Sequence, residues 1–234
     1  MDIIYYDDNI IVAIKPAGVI STDEPGGMPS LLRQALGNEN ADIRTVHRLD
    51  QVVSGLMVFA QNPETASELS RQIRAGDFKK PYLAVVRGVP QERKGRMEDI
   101  LLRSKEQRKT FVVNKPCRGS QEAVLDYRLL GSNGELSMVE INLVTGRTHQ
   151  IRVHMAYIKH PVSGDTIYGA AKPRLGLDGQ ALHAARLELT HPRTGERMVF
   201  AAKVPEYFRS ALKKAGRTVE KDIEDTLQEA FGES

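Results

Sequence analysis

Tryptophan is missing from these 234 residues, and cysteine occurs once. A lone Cys117 excludes an internal disulfide framework and a structural zinc site built on cysteines. A reduced, cytoplasmic setting is the expectation. Aromatic residues make up 6%. No stretch approaches the ~18 uninterrupted apolar residues of a spanning helix, so no membrane is expected as a partner. The start, Met1-Asp2-Ile3-Ile4-Tyr5-Tyr6-Asp7-Asp8, has acids where a secretory signal needs a basic and then an apolar run. Also missing are a Gly-x-Ser-x-Gly elbow, a Walker phosphate loop and a Gly-x-Gly-x-x-Gly after a strand. His149 and His154 stand five apart, off the i, i+4 spacing of a helical zinc pair, with no acid or cysteine close by in sequence. No metal is therefore expected.

Against these absences, the apolar fraction is 41% and the charged fraction 27%, values of a globular chain. The length suits one large domain or two small ones. Charge is unevenly spread. The net charge is +3, but residues 217–234 set Arg217 and Lys221 against six acids, leaving −4 there and +7 on residues 1–216. Arg103, Lys105, Arg108, Lys109, Lys115 and Arg118 face only Glu106 between residues 103 and 118. A basic body fits a polyanion partner such as nucleic acid; a solvated basic loop is the other reading of the same charges.

The pattern predicts a hairpin over 3–14 turning at Asp7-Asp8-Asn9, and a short helix capped by Ser30 and stopped by Gly37. A buried strand follows over 56–60, then a helix started by Asn62-Pro63 and ended near Gly76. Strands are expected over 82–86, 111–113, 123–130, 137–144, 182–189 and 198–202, with 111–113 and 123–130 as partners around the basic segment. Thr148 can cap a helix burying Ile151, Met155 and Ile158, although strand alternation fits nearly as well. Pro205 opens a helix with Phe208 and Leu212 on one face. Ile223, Leu227 and Phe231 give the acidic tail an amphipathic helix. No repeat and no linker is evident. The expected class is α+β: a mixed, mostly antiparallel central sheet flanked by helices, with residues 1–216 as one domain and 217–234 as a tail.

Two segments carry chemistry. In His47-Arg48-Leu49-Asp50-Gln51-Val52-Val53-Ser54-Gly55 a carboxylate lies two residues from a guanidinium, in a polar turn before a buried strand. The same Asp also suits a turn that bonds local amides. In Thr145-Gly146-Arg147-Thr148-His149-Gln150-Ile151-Arg152-Val153-His154, Arg147 and Arg152 read as phosphate contacts or as ion-pair partners.

Taken together, the chain resembles the RluA-type family of RNA pseudouridine synthases. The resemblance rests on Asp8-Asn9-Ile10-Ile11-Val12-Ala13-Ile14-Lys15-Pro16-Ala17-Gly18, on His47-Arg48-Leu49-Asp50 with Ser54-Gly55, and on Lys80-Pro81-Tyr82-Leu83-Ala84. It continues through Gly146-Arg147-Thr148-His149-Gln150, His160-Pro161-Val162-Ser163-Gly164-Asp165 and Leu182-His183-Ala184 to His191-Pro192-Arg193-Thr194-Gly195. These motifs occur in the family's order over about residues 3–212. One position departs: Val53 stands where the family usually has Thr. The N-terminal RNA-binding domain of many members is not expected here.

The resemblance implies isomerisation of specific uridines in structured RNA, rRNA or tRNA, to pseudouridine, without cofactor or metal. It implies that Asp50 is the nucleophile or base, that Arg147 pairs with it, and that Tyr82 stacks on the detached uracil. Arg48 would fill the space the flipped nucleotide vacates, with His47 beside it. Arg103, Lys105, Arg108 and Lys109 would lie on a loop that closes on RNA, with Arg152 as a further contact. The protein is expected to be a monomer. An RNA-binding module without turnover and a metal-independent hydrolase using Asp50 stay open as alternatives.

Overall fold

Short β-branched runs punctuated by glycine and proline yield twelve strands and three helices among the described residues. The computed structural model describes residues 1–169, 180–206 and 208. Leu212 and the acidic tail, for which helices were expected, lie outside them. The chain divides into two units, Met1–Lys80 with His183–Lys203, and Pro81–Leu182 with the described residues from 204 onward.

The first unit begins with β1 (Asp2–Tyr6) and β2 (Ile10–Lys15), paired antiparallel. The Asp7 carboxylate accepts from the N–H groups of Asn9 and Ile10, both at 2.8 Å, which closes the expected turn. β2 pairs antiparallel with β4 (Ser54–Ala60), from Ile10 opposite Ala60 to Lys15 opposite Gly55. All seven residues of β4 are buried, as its continuous apolar run requires. The two-residue β3 (Arg44–Thr45) also pairs with β4.

Helix α1 (Met28–Leu36) starts two residues before the expected Ser30. Pro29, with its preset φ and no N–H to satisfy, fits the first turn better than a hydroxyl cap does. Helix α2 (Pro63–Ala75) keeps the expected ends. The Asn62 side chain accepts from Thr65 N–H at 2.8 Å, and Gly76 adopts φ +79. Leu69 of α2 joins Ile10, Val12, Leu56, Val58 and Leu187 in the core of this unit.

The second unit builds an antiparallel sheet from β5 (Tyr82–Arg87), β6 (Lys94–Ser104), β7 (Lys109–Val113), β8 (Ser120–Ser132) and β9 (Leu136–Leu143), in the order β5-β9-β8-β6-β7. Strand β6 was not expected: charges fill its outer positions, and only Met97 and Leu101 are buried. It takes the place expected for β8 as the partner of β7, with Leu102 opposite Phe111. Much of the basic segment is therefore an ordered hairpin rather than a loop. Helix α3 (Gln150–Tyr157) settles the ambiguous segment as helix, with every residue from Gln150 to Met155 buried. Its start is His149 at φ +59, with no side-chain cap from Thr148.

The stretch expected as one strand over 182–189 is broken. It forms β10 (Leu182–Ala184) and β11 (Arg186–Thr190), the second paired with β12 (Arg197–Ala201). At the break, the Ala185 carbonyl accepts from Ala202 N–H at 2.8 Å. The architecture is α+β and mostly antiparallel, as expected. One parallel pairing enters where His183 and Ala184 of β10 lie opposite Ser54 and Gly55.

Candidate active site

In the first unit, Asp50 stands on a tight turn at the entrance to β4. Val53 N–H donates to the Asp50 carbonyl at 3.0 Å and closes that turn. Ser21, 28 residues earlier, straddles Leu49: its hydroxyl donates to the Leu49 carbonyl at 2.8 Å and accepts from Leu49 N–H at 3.1 Å. Gly18 N–H donates to the Gln51 carbonyl at 2.8 Å, and the Gln51 amide returns a bond to the Gly18 carbonyl at 3.0 Å. The turn is thus gripped from before and after, and Asp50 is half-buried.

Lys15 completes this grip. It is fully buried, and its ammonium donates to the carbonyls of Pro16 (2.9 Å), Val19 (2.5 Å) and Gln51 (2.9 Å). Burial pushes its pKa down to about 8, opposed by the negative charge of Asp50.

Behind the turn, Ser54 Oγ and His183 Nδ1 are 2.8 Å apart. Burial lowers His183 to about 4, so the ring is neutral near pH 7. Gly55 follows at φ +123, and a Cβ there would come within 2.4 Å of the Ala184 backbone. Only glycine lets β10 approach so closely.

His47 is 7% exposed. Its Nε2 accepts from Val58 N–H at 3.1 Å, and its ring lies edge-on to Phe78. Burial and the Lys80 charge hold it well below the usual histidine range. Arg48, its neighbour, is exposed.

In the second unit, Tyr82 opens β5, is 4% exposed and lies opposite Ile141 of β9. Arg147 stands on the turn before α3, where its Nε donates to the Glu122 carbonyl at 2.8 Å. Gln150, one turn on, organises that loop. Its Oε1 accepts from Thr145 Oγ1 and from Arg147 N–H, each at 2.9 Å, and its Nε2 donates to the Val124 carbonyl at 3.0 Å.

Residues 9–157 match the family model described as RNA pseudouridylate synthase. The chain belongs to this family. It is 36% identical over 215 residues to the uncharacterized RNA pseudouridine synthase YlyB of Bacillus subtilis (strain 168), covering 88% of this chain and 70% of that one. It is 35% identical over 254 residues to ribosomal large subunit pseudouridine synthase D of Neisseria meningitidis serogroup A, covering 99% of this chain and 67% of that protein. The solved structure of human RNA pseudouridylate synthase domain containing 4 matches with a TM-score of 0.76 at 25% identity, covering 92% of each chain. The protein is accordingly an RNA pseudouridine synthase, an RNA-modifying isomerase.

In this synthase, two residues expected to face RNA are directed inward. His47 packs as described above. Arg152 is 3% exposed, and its guanidinium grips Asp165 through Nε at 2.7 Å and Nη2 at 3.1 Å. Of the two readings open for Arg152, the structure supports ion pairing. A desolvated arginine is held by a carboxylate, since an unpaired charge there is costly. Lys15, Gln150 and the Ser54–His183 pair were not singled out from sequence, although Lys15, Ser54, Gln150 and His183 all fall inside the motifs that carried the resemblance. Among the described residues no helix is long and apolar enough to cross a membrane, and no group of His, Cys, Asp or Glu has the makings of a metal site.

Proposed function

We propose that this synthase converts uridine to pseudouridine in structured RNA, with large-subunit rRNA as the first candidate and tRNA as the second, and that Asp50 carries the reaction. The observation that supports Asp50 most is its place, half-buried, on a doubly gripped turn beside the buried Lys15 ammonium. Such a site holds a carboxylate in place, as a nucleophile or base beside a sugar requires.

Asp50 attacks sugar carbon 1 or takes a proton from sugar carbon 2. Either way the bond from that sugar to uracil nitrogen 1 breaks. The free ring turns, and carbon 5 bonds to carbon 1 of the sugar as the Asp50–carbon 1 bond breaks or as the borrowed proton returns to carbon 2; nitrogen 1 gains a proton and carbon 5 loses one. Electrons and atoms balance without a redox partner. Arg147 supplies the guanidinium that pairs with Asp50, and Tyr82 offers a ring face to the detached uracil. Extracting the uridine from its stack costs a few kcal/mol, and the exposed Arg48 fills the gap it leaves. Arg103, Lys105, Arg108 and Lys109 give phosphate contacts that fix register. The protein acts as a monomer.

The preference for rRNA rests on the ribosomal relative that aligns with 99% of this chain. The test maps pseudouridines in rRNA and tRNA from a strain lacking the gene, with and without added enzyme. A site in 23S-type rRNA that disappears with the gene and returns with the enzyme is expected. Sites that change only in tRNA would overturn the rRNA preference.

A further inference from the structure

The turn that carries Arg147 is also held from the base of the basic hairpin. Thr110, on β7 at the edge of its sheet, is buried. Its main-chain N–H donates to Tyr168 Oη at 2.8 Å, and its Oγ1 donates to the Thr148 carbonyl at 3.0 Å. Tyr168 Oη lies 2.9 Å from His149 Nδ1, and Arg103 Nη1 lies 3.5 Å from that same nitrogen. Tyr168 Oη accepts from Thr110 N–H and lies within hydrogen-bond distance of His149 Nδ1. A chain of hydrogen-bonded groups thus runs from Thr110 through Tyr168 to His149, two residues beyond Arg147.

Tyr168 is itself braced. Its ring centre is 5.2 Å from the Lys109 ammonium and 5.1 Å from the Arg152 guanidinium, and it stands edge-on to His149. Asp165, which grips Arg152, also accepts from the N–H groups of Ile167 and Tyr168. His149 sits at φ +59, a conformation that external bonds must sustain in a residue with a side chain. The buried Arg152–Asp165 pair therefore serves as the footing of a latch, and Lys109 ties the latch to the hairpin.

We propose that Tyr168 and Thr110 are positioning residues for Arg147: they lock the 147–149 turn to the root of the β6–β7 hairpin, so that RNA seated on the hairpin and the guanidinium aimed for reaction are set together. This rests on the reading of Arg147 as a catalytic group. Neither residue touches the substrate; both act through the turn.

The test compares single-turnover rates at saturating RNA, RNA affinity and melting temperature for wild type, Tyr168→Phe, Thr110→Val, Arg147→Lys and the Tyr168→Phe/Arg147→Lys double variant. Tyr168→Phe keeps the ring between its two cations and removes only the hydroxyl. It should slow the saturated rate about tenfold while leaving RNA affinity within about twofold, and Thr110→Val should act in the same direction. In the Arg147→Lys background, which keeps the charge but not the forked geometry, Tyr168→Phe should add little. A saturated rate unchanged in both single variants, a loss confined to affinity, or a full tenfold loss persisting beside Arg147→Lys would overturn the proposal. Should Tyr168→Phe fail to fold, Thr110→Val decides by the same criteria. Arg147→Ala is measured in parallel. Wild-type turnover there defeats the Arg147 reading itself, whereas its loss beside an unaffected Tyr168→Phe defeats only the latch.

Discussion

Lys15 and His183 pay for their burial in opposite protonation states. Lys15 keeps its ammonium among three carbonyls, and His183 stays neutral against Ser54. The histidine makes a pH prediction. Its ordinary value is 6.5 and its folded value is about 4, so between those limits the unfolded chain binds the extra proton. Its contribution to stability is complete above pH 6.5 and is lost as pH falls toward 4, by up to ~1.4 kcal/mol per pH unit. His47 and His154, both lowered by burial, act in the same direction. Denaturation by urea at stepped pH should therefore show weakening that begins near pH 6.5, above the carboxylate range, and His183→Gln should flatten part of it. Asp50 stood out in the sequence through the His47-Arg48-Leu49-Asp50 motif on which the family resemblance rests; its local chemistry alone suits a turn as well. Lys15 was not, because in sequence a lysine at a strand end reads as a surface charge. Only the carbonyls of Val19 and Gln51, brought in by the fold, give it a buried role.

At the scale of elements, local signals succeed where they carry their own stereochemistry. Asn62-Pro63 and Gly76 bound α2 because a side-chain cap and a left-handed stop are decided by near neighbours. Removing that cap with Asn62→Ala should cost about 1 kcal/mol. In a chain of this length that lowers the melting temperature by roughly 2–4 °C, read by calorimetry. Strand partners are not local. Nothing in Phe111-Val112-Val113 says that its neighbour is β6 rather than β8, and β6 hides behind its charges. The hairpin they form makes its own prediction. Arg108→Ala with Lys109→Ala should weaken RNA binding and flatten its salt dependence by up to two phosphate contacts, each worth ~0.9 in the log–log slope for duplex and ~0.7 for single strands. An unchanged slope returns the segment to a solvated basic face. Lys109 also lies over the rings of Phe111 and Tyr168, so Arg108→Ala alone is the cleaner measure of a phosphate contact.

Over the whole molecule, charge is unevenly spread along the chain. Residues 1–216 carry +7, and the acidic 217–234 carries −4, a poor surface for phosphates. Deleting 217–234 should leave turnover on a minimal RNA largely intact, with any stability loss limited to ~1.5–3 kcal/mol for each of Ile223, Leu227 and Phe231 that is fully buried. Lost turnover in a folded, shortened protein would place the tail in the active site. The central claim concerns a single carboxylate, and tritium release from RNA labelled at carbon 5 of uridine tests it most directly. Wild-type protein should release tritium as the carbon 5 proton leaves. Asp50→Asn, confirmed by mass and folded, should release none above background while binding RNA within about twofold of wild type. Measurable release by that variant would contradict the account.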